Sequence, residues 1–290
     1  MKKIFHIIAN PTAGKKAADK NLRIAQETFA SYGATVQTHL TSSVGDATRI
    51  VRELTQAGET DIIALGGDGT LHEVLNGLHD PATCRLGLIP SGTGNDFAEK
   101  IGLPLQADKA VKLIMENHLQ ATDYLEVGGV RCMNVAGLGM DVDVLERCKK
   151  GKSKGKLKYL KSLVQSLFAF KGIKVEIEAD GVVQMREVLL AAVCNGSQFG
   201  GGIKICPTAK VDDGKISAVI VDCIGGKWKI IKAFVQLLKG KILDYPLTTH
   251  FLCDSVKFMS ENKCTVQLDG ELYKDLPFEA KICQGLQFYR

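Results

Sequence analysis

The sequence predicts an α/β protein in which a doubly wound parallel sheet is followed by a mainly antiparallel β domain. Over the first 120 or so residues, apolar runs of strand length alternate with amphipathic segments of helix length. Such alternation is typical of a parallel sheet with helices on both faces. After about residue 124 the alternation stops, and strand-like runs follow one another with Asp-Gly turns between several of them. Turns of this kind are typical of antiparallel hairpins.

The first part of the chain is predicted to contain four strands and at least three helices. In the first helix, Leu22, Ala25 and Phe29 recur at the spacing of one helical face, as expected for a helix packed on a sheet. The predicted strands cover residues 3–9, 34–40, 61–65 and 86–89, and the predicted helices cover residues 16–31, 46–57 and the segment that follows residue 70.

The second part is predicted to be mainly β, with helical insertions. The strand-like runs are residues 124–135, 173–179, 183–194, 216–223, 248–259, 263–268 and 277–283, and the helical insertions are residues 141–149, 156–170 and 227–238. We therefore expect a first domain of residues 1–124 and a second domain of residues 125–283. The final apolar run, within residues 284–290, is able to return to the first sheet.

Composition and cysteine usage are typical of a globular protein of a reducing compartment. Hydrophobic residues make up 45% of the chain and charged residues 24%, and no apolar run approaches the roughly 20 residues that span a bilayer. The nine cysteines form no Cys-x-x-Cys pair, which argues against both a disulfide framework and a zinc site. We expect a cytoplasmic protein.

The net charge of +5 is concentrated in one segment, Arg147–Lys161, which carries eight basic and no acidic residues. Within and after this segment, Leu157, Leu160 and Val164 follow helical spacing. A basic amphipathic helix suits an anionic membrane surface, but a helix that covers the β domain with its lysines in water fits equally well. Nucleic acid is disfavoured, because Tyr159 is the only aromatic residue among the lysines.

The segment Gly66–Thr70, with the sequence Gly-Gly-Asp-Gly-Thr, joins a predicted strand directly to a predicted helix. Its three glycines allow positive φ and close approach of a ligand to the backbone. Free N–H groups at the start of the helix favour an anion such as phosphate. Asp68 adds a carboxylate, which suits a phosphate site mainly when a divalent cation lies between them. The turn therefore predicts a phosphate-and-metal site.

Three further motifs accompany this turn: Asn10–Lys15 (Asn-Pro-Thr-Ala-Gly-Lys), Gly92–Ala98 (Gly-Thr-Gly-Asn-Asp-Phe-Ala) and Asp269–Glu271 (Asp-Gly-Glu). Together the four resemble the diacylglycerol kinase and sphingosine kinase superfamily, and most closely its small soluble bacterial lipid kinases. The resemblance covers nearly the whole chain. It implies a Rossmann-like first domain and a β-sandwich second domain, related to NAD kinase, with ATP and Mg²⁺ in the interdomain cleft.

The resemblance also implies roles for individual residues. Glu271 matches the general base, with Asp269 and Asp123 in its supporting acidic network, and Asp68 matches the magnesium-linked aspartate. The loop that contains Asp213 resembles a structural Mg²⁺ loop, to which the backbone carbonyls of Lys210 and Lys215 would contribute. The residues implied in nucleotide binding are Asn10, Gly14, Thr41, Gly66, Gly67, Asp68, Gly69, Thr70, Thr93 and Asn95.

The expected function is an ATP- and Mg²⁺-dependent lipid kinase that converts diacylglycerol to phosphatidic acid, peripheral to the inner face of the membrane. Monoacylglycerol, phosphatidylglycerol, a sphingoid base and an isoprenoid alcohol remain open as acceptors, and related enzymes suggest a homodimer. Two alternatives stay open: a soluble-substrate kinase of the NAD kinase type, and a non-catalytic nucleotide-dependent regulator that binds membranes.

Overall fold

The chain folds as two units in a computed structural model that describes residues 3–11, 13, 17–150, 162, 164–166, 169–260 and 265–290. Unit 1 consists of Met1–Asp123 together with Gln284–Arg290, and unit 2 consists of Tyr124–Cys283. The C-terminal residues thus return to the N-terminal unit. None of the described helices has both the length and the apolar character needed to cross a membrane.

Unit 1 is a parallel sheet flanked by helices. Its strands are β1 (Ile4–Ala9), β2 (Thr35–Leu40), β3 (Asp61–Gly66) and β4 (Arg85–Pro90), and its helices are α1 (Ala17–Ser31), α2 (Asp46–Gln56), α3 (Asp68–Gly77), α4 (Asp96–Lys100) and α5 (Ala107–Met115). The strand order is β2-β1-β3-β4, followed by the end of the last strand of the chain, and every pairing is parallel. The predicted doubly wound sheet is confirmed.

Nearly continuous apolar runs bury β1, β3 and β4 on both faces of the sheet, whereas β2 is only partly buried. On one face, Ile7, Ile63 and Ile89 form a core with buried residues of α1 and α5, including Phe29 and Val111. Helices α2 and α3 contact each other and contribute nothing to this cluster. The sequence analysis did not predict α4 and α5, because α4 has only five residues and the residue that precedes each helix, Asn95 or Gln106, provides no side-chain cap.

Unit 2 is an antiparallel β structure with two described helices. Its strands are β5 (Leu119–Val127, which begins in unit 1), β6 (Val130–Cys132), β7 (Val135–Gly139), β8 (Ile173–Ala179), β9 (Val182–Cys194), β10 (Gln198–Phe199), β11 (Ile203–Lys204), β12 (Ile216–Asp222), β13 (Thr248–Cys253), β14 (Ser255–Ser260), β15 (Thr265–Leu268), β16 (Glu271–Lys274) and β17 (Phe278–Tyr289, which ends in unit 1), and its helices are α6 (Met140–Lys150) and α7 (Lys227–Leu238). The main order is β16-β15-β7-β9-β8-β14-β17, while β12 pairs with β9 and β13. The predicted antiparallel class is confirmed.

Strand β9 lies at the centre of unit 2, and its second half, residues 188–194, is buried on both faces, whereas residues 182–187 are mostly exposed. Ala191 and Val193 point into a core formed with other strands. Ala192 and Cys194 point into a second core, which includes residues of α6 and α7 such as Val144 and Leu237. One side of β9 therefore packs against β structure, and the other side is covered by helices.

Three predicted boundaries in unit 2 were wrong. The predicted run 124–135 is interrupted by positive-φ glycines at residues 128 and 129, which turn the chain between β5 and β6. The predicted run 248–259 divides at residue 254 into β13 and β14. The run 277–283 continues to Tyr289, because its end pairs with β4 at Arg85 and Leu86. The predicted helix 156–170 lies mostly outside the described residues.

A buried ionic network fixes the end of the chain in unit 1. Asp61 is buried, and its carboxylate accepts hydrogen bonds from Arg85 (2.5 and 2.8 Å) and from the Tyr289 hydroxyl (2.5 Å). Lys3 Nζ lies 3.3 Å from the same carboxylate. Burial raises the pKa of Asp61, but the hydrogen bonds from Arg85 and Tyr289 outweigh burial and leave the pKa below its usual value.

We predict that Arg85→Met lowers the free energy of unfolding by roughly 2 kcal/mol. The substitution removes the cation that pairs with the buried Asp61 carboxylate, and the loss is moderate because Arg85 itself is partly exposed. The matched control is Arg49→Met, which removes an exposed pair with Asp46 and Glu53 and should leave stability nearly unchanged. Urea denaturation of both variants at pH 7 measures the difference. Equal stability of the two variants would contradict the importance of the Asp61 network.

Candidate functional site

The predicted nucleotide residues of unit 1 lie at the carboxyl edge of its parallel sheet. Asn10 follows β1, and its backbone N–H donates to the Leu65 carbonyl of β3 over 3.2 Å. Thr41 follows β2, and its N–H donates to the Ala9 carbonyl of β1 over 3.0 Å. These bonds hold consecutive strand ends side by side, at the edge where ligands of parallel sheets bind.

The glycine turn after β3 packs directly against the loop after β4. A Cβ on Gly67 would lie 2.9 Å from the Gly92 Cα, a distance too short for any side chain. The N–H of Ser91 donates to the Gly66 carbonyl over 2.7 Å. The two loops therefore touch backbone to backbone, and they can do so only because both contact positions are glycine.

The glycines of the turn are needed for this close approach and not for positive φ. Gly67 has a φ of −101°, and neither Gly66 nor Gly69 has positive φ. A Cβ on Gly66 would overlap the Thr70 side chain. The expectation of positive φ was thus wrong, whereas the expectation of close approach holds.

Asp68 joins the same two loops through its side chain. One carboxylate oxygen accepts the backbone N–H of Asp96 and the other accepts that of Phe97, each over 3.1 Å. These N–H groups belong to the first turn of α4, so Asp68 caps this helix from 28 residues away. Phe97 in turn packs edge-on against Phe288 of β17, with ring centroids 5.6 Å apart.

The other predicted nucleotide residues surround this contact. Asn95 has a φ of 55°, and its side chain exchanges two hydrogen bonds with the Gly92 backbone, of 2.9 and 3.1 Å. Thr93 is exposed at the tip of the loop. Gly67 supplies no side-chain cap for α3, and an uncapped helix N-terminus favours an anion. Gly14 lies outside the described residues.

In unit 2, Asp269 anchors the predicted catalytic turn. It has a φ of 51°, and its carboxylate accepts the backbone N–H groups of Met133 and Asn134, each over 2.8 Å. The Cys132 thiol donates to the same carboxylate over 3.1 Å, and burial together with Asp269 raises the pKa of this thiol well above its usual value. Asp269 therefore holds the turn against the connection from β6 to β7.

Glu271 is the first residue of β16, and its side chain is 49% exposed. Lys149 on α6 places its ammonium nitrogen 3.4 Å from a Glu271 carboxylate oxygen. The carboxylate thus extends into solvent from a turn that Asp269 keeps in place. An exposed carboxylate on a fixed turn is able to accept a proton from an approaching hydroxyl.

The chain matches two protein-family models. Residues 5–127 match the diacylglycerol kinase catalytic domain, and residues 134–286 match the YegS C-terminal NAD kinase beta sandwich-like domain. The chain is 32% identical to the diacylglycerol kinase of Bacillus subtilis, over 94% of this chain and 91% of that protein. The chain belongs to the family of diacylglycerol kinase and YegS-type lipid kinases.

Two further comparisons agree with this assignment. A Pseudomonas fluorescens protein named "Probable lipid kinase YegS-like" is 31% identical over 89% of this chain and 86% of its own length. The crystal structure of a diacylglycerol kinase from Bacillus anthracis superposes with a TM-score of 0.77 at 26% identity, covering 99% of this chain and 96% of that one. The match therefore extends through both units of this lipid kinase family member.

The other predicted residues of the lipid kinase are Asp123 and those of the loop that contains Asp213. Asp123 is buried in β5, at the boundary of unit 1. Asp213 lies on an exposed turn, where its carboxylate accepts the Lys215 N–H over 3.1 Å, and Lys210 is also exposed. The described residues contain no group of three His, Cys, Asp or Glu side chains able to hold a metal. The predicted loop offers one carboxylate with backbone carbonyls, so its metal role stays a prediction.

The sequence analysis missed Asp141, on the same helix as Lys149. Asp141 is 5% exposed, and burial raises its pKa to about 7. Gln267 is near Asp141, and its amide oxygen accepts the Gly270 N–H over 3.0 Å. Asp141 makes no hydrogen bond to Gln267, since in the described part of the chain both its carboxylate oxygens and the Gln267 amide nitrogen are buried without a hydrogen-bond partner. The sequence held no signal for the burial of Asp141, since nothing in it distinguishes Asp141 from its neighbour Asp143.

We predict that stability falls as pH rises from about 4 to about 7, because native Asp141 keeps a proton that the unfolded chain releases near pH 3.8. The loss reaches at most about 4 kcal/mol and is complete above the folded pKa. Asp141→Asn should remove this slope in denaturation measured at pH 5 and pH 8, with Asp143→Asn as a control for substitution on this helix. An unchanged slope in Asp141→Asn would exclude this source of pH dependence.

Proposed function

We propose that this protein transfers the γ-phosphoryl group of ATP to the hydroxyl of a membrane lipid, with diacylglycerol as acceptor and phosphatidic acid as product. Membership in the lipid kinase family supports ATP as the donor. The relatives named diacylglycerol kinase support this choice of acceptor. The reaction belongs to phospholipid metabolism, and we place it in the cytoplasm at the inner face of the membrane.

The observation that carries the proposal is the double-glycine contact of unit 1, which Asp68 reinforces. Phosphoryl transfer depends on positioning and on stabilising phosphate charge. We expect the backbone N–H groups at the start of α3 to bind the phosphates, together with the side chains of Asn10 and Thr41, whose own N–H groups donate to strand carbonyls. Mg²⁺, when bound, would neutralise charge on the phosphates, and Asp68 is the carboxylate of this edge that we expect to hold it.

Unit 2 supplies the acid–base chemistry in this proposal. Glu271 accepts the proton of the lipid hydroxyl as the hydroxyl oxygen forms its bond to the γ-phosphorus, and ADP leaves with the electrons of the broken P–O bond. Asp269 positions the turn through its hydrogen bonds to Met133 and Asn134. Asp123 completes the proposed acidic network.

The experiment is an assay with labelled ATP, Mg²⁺ and a panel of acceptors, followed by mass identification of the product. The panel contains diacylglycerol, monoacylglycerol, phosphatidylglycerol, sphingosine, an isoprenoid alcohol and NAD. We predict label in phosphatidic acid. Label only in NAD would support the soluble-substrate alternative, and ATP binding without any labelled product would support a non-catalytic regulator. Either result would overturn the proposal.

In the same assay, we predict that Glu271→Gln lowers kcat by about 100-fold or more, because an amide cannot accept the hydroxyl proton. Its unfolding curve should match that of the wild type. The matched control is Glu279→Gln, which changes another exposed glutamate of unit 2 that pairs with a lysine and should retain full activity. Near-normal kcat in Glu271→Gln would remove this residue from the mechanism.

A further inference from the structure

Helix α7 packs on unit 2 through one apolar stripe. Ile230, Ala233, Phe234 and Leu237 recur at the spacing of a single helical face, and they contact the second core of unit 2. This one stripe is what a surface helix needs in order to attach to its domain. Packing on unit 2 therefore does not explain any apolar residue on the other faces of α7.

A second apolar stripe lies on the solvent side of the same helix. Trp228 is 78% exposed, Val235 is 40% exposed and Leu238 is 49% exposed. Together with the half-buried Ile231, they follow helical spacing along one line. Ile224, just before the helix, is also 57% exposed. Large apolar side chains grouped in this way mark an interaction surface.

Within helix α7 and its immediate flanks the charged residues are all basic, and the first acidic residue after them is the exposed Asp244. No aspartate or glutamate occurs from Cys223 to Leu243. The five lysines in this range are exposed, and no carboxylate of a described residue lies within ion-pairing distance of any of them. These lysines are Lys227, Lys229, Lys232, Lys239 and Lys241.

An open groove of about 700 Å³ runs along the exposed side of α7. Trp228, Ile231 and Val235 line it from the helix, and Tyr245 and Leu247 line it from the segment that follows. Its walls are thus aromatic and aliphatic, and lysines border them. Such a groove suits acyl chains or the apolar part of lipid headgroups.

We infer that the exposed face of α7 is the surface by which this protein docks on an anionic lipid bilayer. An interfacial helix buries apolar and aromatic residues at the headgroup boundary while lysines contact anionic lipids. The 12 residues of α7 are too few to span a bilayer. A symmetric contact with a second copy would bring two sets of lysines together, which like charges oppose.

This inference deepens the proposed function, since a lipid kinase must reach its acceptor in a membrane. It assigns docking to a segment different from Arg147–Lys161, for which the sequence left membrane docking and a solvated surface helix equally open and which lies mostly outside the described residues. Docking on vesicles needs neither nucleotide nor turnover. A failure of docking is therefore separable from a failure of kinase activity.

The test uses the fluorescence of Trp228, which is the only tryptophan of the chain, so tryptophan emission reports on this helix alone. The protein is titrated with vesicles of pure phosphatidylcholine or of equimolar phosphatidylcholine and phosphatidylglycerol. We predict a blue shift with the anionic vesicles, and quenching when their acyl chains are brominated. Pure phosphatidylcholine should bind at least about tenfold more weakly, because each lysine near an anionic surface contributes to binding.

Substitutions of the lysines and of the exposed apolar stripe should each weaken the partition of the protein into anionic vesicles. Lys229→Glu combined with Lys232→Glu should lower it at least about 30-fold, and Val235→Glu at least about tenfold. The matched controls are Lys109→Glu combined with Lys174→Glu, and Val44→Glu at a side chain that is 94% exposed. The control variants should bind as the wild type does.

Three results would overturn the inference. The first is no blue shift with anionic vesicles in a preparation that phosphorylates lipid in detergent micelles, an outcome that leaves the proposed function intact. The second is equal weakening by the test and control variants. The third is a blue shift that grows with protein concentration in the absence of lipid, which would assign the face to contact between copies.

Discussion

The hydrogen bonds from the Asp96 and Phe97 backbone to Asp68 are the interaction on which the nucleotide edge depends. They tie the turn after β3 to the loop after β4, where Gly67 and Gly92 already touch. Charge-assisted bonds of this kind are stronger than those between neutral groups. A site that stabilises phosphate charge needs donors that do not move during the reaction, and this contact supplies such rigidity.

Unit 2 contains a similar interaction between a carboxylate and backbone N–H groups, at the turn that carries Glu271. Asp269 accepts N–H groups of Met133 and Asn134, which are far from it in sequence, and so adds side-chain bonds to the backbone pairing of β15 with β7 that also holds this hairpin. In each unit, then, one carboxylate fixes backbone that is distant from it in sequence. The resemblance to lipid kinases implied a supporting role for Asp269, and through its hydrogen bonds Asp269 positions the turn.

The fold followed from local patterns, whereas the contacts of the site did not. Apolar periodicity predicted strands β1 to β4 and helices α1 to α3 of unit 1, but it did not predict α4 and α5. The cap that Asp68 provides for α4 joins residues 28 positions apart, and no local signal encodes such a pair. Asp141 was missed for a similar reason, since its burial arises from packing of α6. Positive φ was expected in Gly66–Thr70 and is not found, because these glycines are needed for the close approach of the two loops.

The most direct measurement of the central claim is amide hydrogen exchange at Asp96 and Phe97 in Asp68→Asn. The side-chain nitrogen that this substitution introduces cannot accept an N–H, whereas the remaining oxygen still accepts one, so the account predicts lost protection at one of these two amides and at least about tenfold weaker ATP binding, with global stability largely retained. Asp80→Asn, which alters another carboxylate cap, should change neither. Unchanged protection and unchanged ATP affinity in Asp68→Asn would contradict the account.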